Sequence, residues 1–320
     1  MTETKSIARS GRKSPIITVG KYLLIIVVVY FVAEKLVDNW QEVVNYNWSI
    51  NWLLLILSVM AHILTFALLA GVWCLLISGF GYRVSLVHAF KISYIANLGR
   101  YIPGKIWPVF GMVYLAKKAE VGEEAAVASW GLAQMFAVPA SFLACLVTIM
   151  IHPAMFADEL GRFVGTGVYV AALVIFLISL QMVVVPDKTL LLFNFLLRLF
   201  RRPQVSFRLS KTTALMVYVG YFFCWLLFGF SFWLFLNGVI DNPQIPVMGA
   251  IAAFVLAYQV GYLTLFSPGG LGIRELALTS LLVPFVGPVA AGVAVASRIW
   301  NMASEIIAAL IAFKIRLEGE

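Results

Sequence analysis

Residues 52–80 read WLLLILSVMAHILTFALLAGVWCLLISGF, a run from Trp52 to Phe80 without a single Asp, Glu, Lys or Arg. A helix needs about 20 apolar residues to cross the hydrocarbon of a bilayer, and this run is longer. Lipid offers no partner for backbone N–H and C=O groups, so a run of this kind must be helical or be shielded by protein. It is too long and too uniformly apolar for a barrel strand. Six further stretches are apolar and of spanning length, with Lys21 in the first and Arg298 and Glu305 in the last: Ile16–Ala33, Ala125–Ile151, Phe163–Val185, Thr212–Ile240, Val247–Phe266 and Val289–Phe313. The expected fold is therefore all-α: a polytopic membrane helix bundle of about seven spans.

Composition supports this. The chain is 62% hydrophobic and 12% charged, with a mean hydropathy of +0.96, whereas a soluble domain is about 25% charged. No polar stretch is long enough to bury a core of its own. The expected organisation is a basic tail over residues 1–15 followed by a single integral membrane domain over 16–320. Ile16–Ala33 lacks a small-residue cleavage site and reads as a retained first helix.

The net charge of +8 is distributed by loop. Lys and Arg number five in the tail with Lys21, one in 34–51, six in 81–124, one in 152–162, six in 186–211 and none in 237–246. The positive-inside rule then puts both termini and the basic loops in the cytoplasm, across the cytoplasmic membrane. Trp40, Trp48 and Trp52 suit an aromatic belt at the opposite face. No nucleic-acid partner is expected, because the basic residues follow membrane sidedness.

The same alternation constrains two broken apolar stretches. Leu86–Leu115, interrupted at Pro103-Gly104, must begin and end on the cytoplasmic side, as a re-entrant or interfacial segment. Leu276–Val286 is too short to cross and must carry the chain outward as a half-helix embedded in protein. Leu190–Arg202, LLLFNFLLRLFRR, reads either as an interfacial helix with Arg198, Arg201 and Arg202 at the head groups or as a plain positive-inside loop.

Three constellations stand out. The first is Asn97-Leu-Gly-Arg100-Tyr-Ile-Pro103-Gly104-Lys105-Ile-Trp107-Pro108. Pro removes a donor and Gly permits unusual backbone, so a helix broken at membrane depth frees N–H groups for an anion beside Arg100 and Lys105. A loop whose basic residues only set topology reads equally well. The second is Phe266-Ser-Pro268-Gly269-Gly270-Leu-Gly272-Ile-Arg274-Glu275, again Pro-Gly and then a cation. The echo suggests two pseudo-equivalent halves, although Arg274 and Glu275 could also simply pair. The third is Arg298, Asn301 and Glu305, which steps of three and four place on one face of the last span. Ionisable groups inside a span cost at least about 2.5–3.5 kcal/mol on insertion scales and face a bundle interior or wet cavity. A structural Arg–Glu bridge is the plain alternative.

His62, His88 and His152 are scattered, and Cys74, Cys145 and Cys224 lie inside apolar runs without metal-ligand spacing. No metal site, cofactor, nucleotide-binding motif or nucleophile–base arrangement is expected.

At NLGRYIPGKIW (97–107) and SPGGLGIRE (267–275), and at Arg298 in Ser297-Arg298-Ile299-Trp300, the chain resembles the lysylphosphatidylglycerol synthase transmembrane family of flippase-like membrane proteins. The best-known members join this membrane domain to a soluble aminoacyl-transferase, which this sequence lacks, so the resemblance implies lipid handling and not the synthase reaction. The expected function is translocation of an anionic or modified lipid: an aminoacyl-phospholipid, a glycolipid or a polyprenyl-phosphate lipid. Asn97, Arg100, Lys105, Trp107, Arg274, Glu275, Arg298, Asn301 and Glu305 are the expected substrate contacts. Pro103, Gly104, Pro268, Gly269, Gly270 and Gly272 would shape the backbone. Two alternatives stay open: a membrane-embedded transferase, or subunit of one, with Glu275 or Glu305 as base, and a scaffold for a lipid-modifying or glycosyltransferase enzyme.

Overall fold

The structure is a computed structural model that describes residues 44–101, 107–151, 161–199, 204–206, 208–264 and 270–316. The expected first span Ile16–Ala33 and the tail 1–15 lie outside the described residues. Among the described residues there is helix and no strand. Ten α-helices follow in order: α1 Trp52–Ser78, α2 Leu86–Asn97, α3 Trp107–Lys118, α4 Glu123–Ile151, α5 Gly161–Val184, α6 Pro186–Leu199, α7 Lys211–Val239, α8 Val247–Leu263, α9 Ile273–Val286 and α10 Ala290–Phe313. Short 3-10 turns lie at Leu98–Tyr101 and Gly287–Val289.

α1, α4, α7 and the run Ile273–Phe313 are long and apolar enough to cross a membrane. The last is not one rod. Glu275 and Arg298 are 23 residues apart, about 34 Å along a straight helix, yet their side chains meet at 2.6 Å. The chain reverses at Gly287, whose φ of +61° suits glycine, so α9 is a short arm and α10 the span. The chain also bends by 103° between Val170–Val184 and Pro186–Leu199. Pro186 cannot continue the hydrogen-bond ladder and biases Val185 away from helix. α6, with Arg198 in its last turn and Leu191, Phe195 and Leu199 exposed, thus runs nearly across the axis of α5. That is the helix alternative for Leu190–Arg202; Arg201 and Arg202 lie outside the described residues. α8, at 17 residues, is shorter than the expected span Val247–Phe266.

The centre of the bundle is the pair α1 and α7. A Cβ on Gly238 would sit 2.9 Å from Leu55, and one on Gly220 would sit 2.6 Å from Val72. The numbers run in opposite senses, so the helices are antiparallel. The small residues let them touch, as packing-driven association in lipid requires. At one end Arg208 N donates to Gly79 O (3.0 Å); at the other Asn51 N donates to Gly238 O (2.9 Å). The Gly79 end is the first end of the bundle and the Gly238 end the second.

Two helical hairpins flank this pair. In α2–α3, a Cβ on Gly111 would lie 3.1 Å from Ala96 Cα, and one on Gly99 would lie 2.8 Å from the Pro108 backbone. In α8–α9, a Cβ on Gly261 would lie 2.7 Å from Arg274 Cβ. α2 follows the end of α1 and α8 follows the end of α7. Because α1 and α7 are antiparallel, the hairpins open at opposite ends of the bundle. This matches the expected re-entrant form of Leu86–Leu115 and the expected half-helix at Leu276–Val286. α10 runs back from the second end, where the first end holds it: Lys91 Nζ, on the buried Lys91 of α2, donates to Ile315 O at 2.7 Å.

Candidate functional site

Both hairpin tips reach one face of α10. At the α2–α3 tip, Arg100 lies in the 3-10 turn that continues α2. Its Nη1 donates to Glu305 Oε1 at 2.7 Å, and its Nε and Nη2 donate to Asn97 Oδ1 at 2.9 and 2.6 Å. Glu305 Oε1 also accepts from Asn301 Nδ2 at 2.8 Å. At the α8–α9 tip, Arg298 Nη1 donates to Glu275 Oε1 at 2.6 Å, while Glu275 Oε2 accepts from Gly272 N at 2.6 Å. Glu275 thus caps its own helix from the third position as well as binding Arg298. Gly270 and Gly272 carry the chain into α9 with φ of +71° and +82°, backbone that a side chain would strain. Seven residues, or about 10 Å of helix rise, separate the two ion pairs on α10.

Arg274 differs from its neighbours. It is buried, 7% exposed, with its guanidinium 5.1 Å from the ring centres of both Phe254 and Tyr258. Its Nη2 has no hydrogen-bond partner among the described residues. Among the described residues three guanidinium groups therefore stand near two carboxylates, with Glu305 bonded to Arg100 and Glu275 to Arg298. Asn301 Oδ1 and Gln259 Oε1 are also buried without a partner among the described residues. A buried charge without a hydrogen-bonding partner is costly, so the arrangement suits an incoming anion.

The structure brings together Asn97, Arg100, Glu275, Arg298, Asn301 and Glu305 of the expected contacts, with Arg274 alongside. Trp107 is not buried with this group: it is 44% exposed, beside Phe110. Lys105, Pro103, Gly104, Pro268 and Gly269 lie outside the described residues. Arg274 and Glu275 are adjacent in sequence but make different contacts: Glu275 binds α10, and Arg274 stacks on α8.

Sequence reading missed the aromatic wall behind the site. His62 is fully buried, with the rings of Phe66, Phe228 and Trp300 4.5–4.6 Å from its own. Trp300 Nε1 donates to Ser58 Oγ at 2.9 Å. These groups come from α1, α7 and α10, and no local spacing announces such a contact. For Arg274, the signal was present in the cation itself; its ring partners on α8 were not legible.

Among the described residues no group of His, Cys, Asp and Glu is placed to hold a metal ion.

Residues 18–311 match the family described as lysylphosphatidylglycerol synthase TM region. Neither a curated protein nor a solved structure matches the chain.

Proposed function

The chain belongs to the lysylphosphatidylglycerol synthase TM region family, and from that premise we propose that it is a lipid translocase for a lipid bearing an anionic head group. One observation carries the reading: a buried arginine, Arg274, in excess over the carboxylates at the meeting point of two hairpins from opposite ends. A lipid phosphate offers the acceptor oxygens that Arg274 lacks, and charge-assisted bonds of this type are about twice as strong as neutral ones. Gln259 and Asn301 offer unengaged acceptors for hydroxyl or amino groups elsewhere in the head group.

The two ion pairs act as gates. Arg100–Glu305 lies on the hairpin that opens at the first end, and Arg298–Glu275 on the hairpin that opens at the second. Opening one pair while the other stays closed exposes the site to one side at a time. Arg100 and Arg298 can each exchange a carboxylate for a phosphate, and Gly272 N and Asn301 Nδ2 remain as donors to the Glu275 and Glu305 carboxylates left behind.

The first end carries Arg83, Lys117, Lys118, Arg208 and Lys211, which by the positive-inside rule makes it cytoplasmic. The molecule is read as one membrane domain over 16–320 in the cytoplasmic membrane, with both termini inside. It works on membrane lipids, alone or beside an enzyme that modifies them.

The test is transport in liposomes by purified protein, with fluorescent phosphatidylglycerol, phosphatidylcholine and a polyprenyl phosphate compared. The expected result is movement of an anionic lipid that Arg274→Gln abolishes in correctly folded protein. Anionic transport at the wild-type rate in Arg274→Gln overturns the assignment.

A further inference from the structure

A cleft of about 370 Å³ opens between α9 and the start of α10. Leu276, Val283, Gly287, Pro288 and Ala291 line it, with Thr279 and Ser280 between them. This is the size of a small-molecule site, about 300–1,000 Å³, yet its lining includes no residue of the ion-pair cluster. We infer that it seats one hydrocarbon chain of the transported lipid while the phosphate is held at Arg274. The inference rests on the head-group reading above and extends it to the rest of the substrate.

Continuity with the site is the first argument. The cleft begins at Leu276, the residue after Glu275, and ends at Gly287 and Pro288 at the second end. On α10, Ala291 and Arg298 are seven residues apart, two turns along one face, so the cleft leads inward to the Arg298–Glu275 pair. Length is the second. From residue 276 to 287 is about 16 Å of helix, and one leaflet of a hydrocarbon core about 30 Å thick is of the same size.

The lining is the third. Thr279 Oγ1 donates to Glu275 O at 2.8 Å and Ser280 Oγ to Leu276 O at 3.1 Å. Each hydroxyl proton is thus held by its own helix, and the wall presents little that an alkyl chain would leave unsatisfied. Nothing lies within 4 Å of where a Cβ on Gly287 would stand, which leaves the outer mouth open. Orientation agrees as well. A lipid in the leaflet at the first end has its head toward that end and its chains toward the second. With its phosphate at Arg274, its chain follows α9 toward Pro288, along the cleft.

The test is photo-crosslinking of the whole protein in nanodiscs. The probe is phosphatidylglycerol with a diazirine on one acyl chain, and crosslinked peptides are mapped by mass spectrometry. The lipid-facing side of α5, where Val170, Leu173 and Leu177 are exposed, reports ordinary contact with surrounding lipid. The expected result is crosslinking within 276–291 several-fold above that on α5, lost in Ser280→Phe, which fills the cleft from an exposed position. A thermal melt checks that Ser280→Phe is folded. Crosslinking equal to that on α5, or unchanged by Ser280→Phe, overturns the inference. The Arg274→Gln protein separates the two readings. Enrichment that falls there supports both; enrichment that persists there supports the cleft and overturns the placing of phosphate at Arg274.

Discussion

Single residues in this site divide by what they leave behind when removed. Arg298→Gln strands Glu275, a buried carboxylate, and loss of one partner of a buried pair costs about 3–5 kcal/mol. A clear fall in melting temperature is expected for Arg298→Gln in detergent. The double variant Glu275→Gln/Arg298→Gln removes both charges and should recover much of that loss; a double variant as unstable as the sum of the singles would show that the pair is not coupled. Arg274→Gln is expected to behave differently. It strands no carboxylate, and the cation–π contacts it loses are worth about 0.5–2 kcal/mol each, against the cost of keeping a guanidinium buried. Its melting temperature should be close to wild type while transport is lost. A large destabilisation would mark Arg274 as a structural group. The Arg–Glu bridge that sequence reading kept as the plain alternative is present, twice; the cation left over is what the spacing of Arg298, Asn301 and Glu305 did not reveal.

At the scale of helices, the hairpins depend on glycine at the crossing points. Gly261 lies against Arg274, and a methyl group there would stand 2.7 Å from Arg274 Cβ. Over-packing of this kind costs about 1–3 kcal/mol, and relief requires α9 to move off α8. Gly261→Ala is therefore expected to reduce stability and to abolish transport, because it displaces Arg274 from Phe254 and Tyr258. Wild-type transport in Gly261→Ala would show that the α8–α9 contact does not position the site. Helix existence was largely legible from apolar run length: Trp52–Phe80, Ala125–Ile151, Thr212–Ile240 and Val289–Phe313 correspond to α1, α4, α7 and α10 within a few residues. The hairpin contacts were not, since Gly111 with Ala96 and Gly261 with Arg274 are close approaches across space that run length does not encode. Pro186 sits at the 103° elbow, but direction after an elbow is set by packing. Phe193 fits at Gly131 of α4, and the Asn194 side chain bonds both the N and the O of Val205.

For the whole molecule, the two hairpins open at opposite ends around an antiparallel central pair. This gives a geometric prediction that needs no substrate. Arg83, at the first end, and Asp241, at the second, are both exposed. Single cysteines at these positions, in a background with Cys74 replaced, are expected to react with a membrane-impermeant maleimide from opposite sides of a sealed vesicle. The first end should be cytoplasmic. Labelling of both from one side would overturn the opposed arrangement of the hairpins.

Apolar run length, the loop-by-loop count of Lys and Arg, and the two Pro-Gly motifs by themselves determined that this is a multi-pass helical membrane protein with two interrupted segments. Each of those signals is local: a helix in lipid must satisfy its own backbone, so the requirement is written residue by residue. Only the tertiary structure decided which charges pair. Arg100 meets Glu305 across 205 positions of sequence, and Arg298 meets Glu275 because the chain reverses at Gly287. Arg274 is left between two rings because α8 and α9 cross where glycine allows it. Pairing of buried charges depends on distances of a few ångströms between helices, and those distances come from packing, to which every helix in the bundle contributes at once.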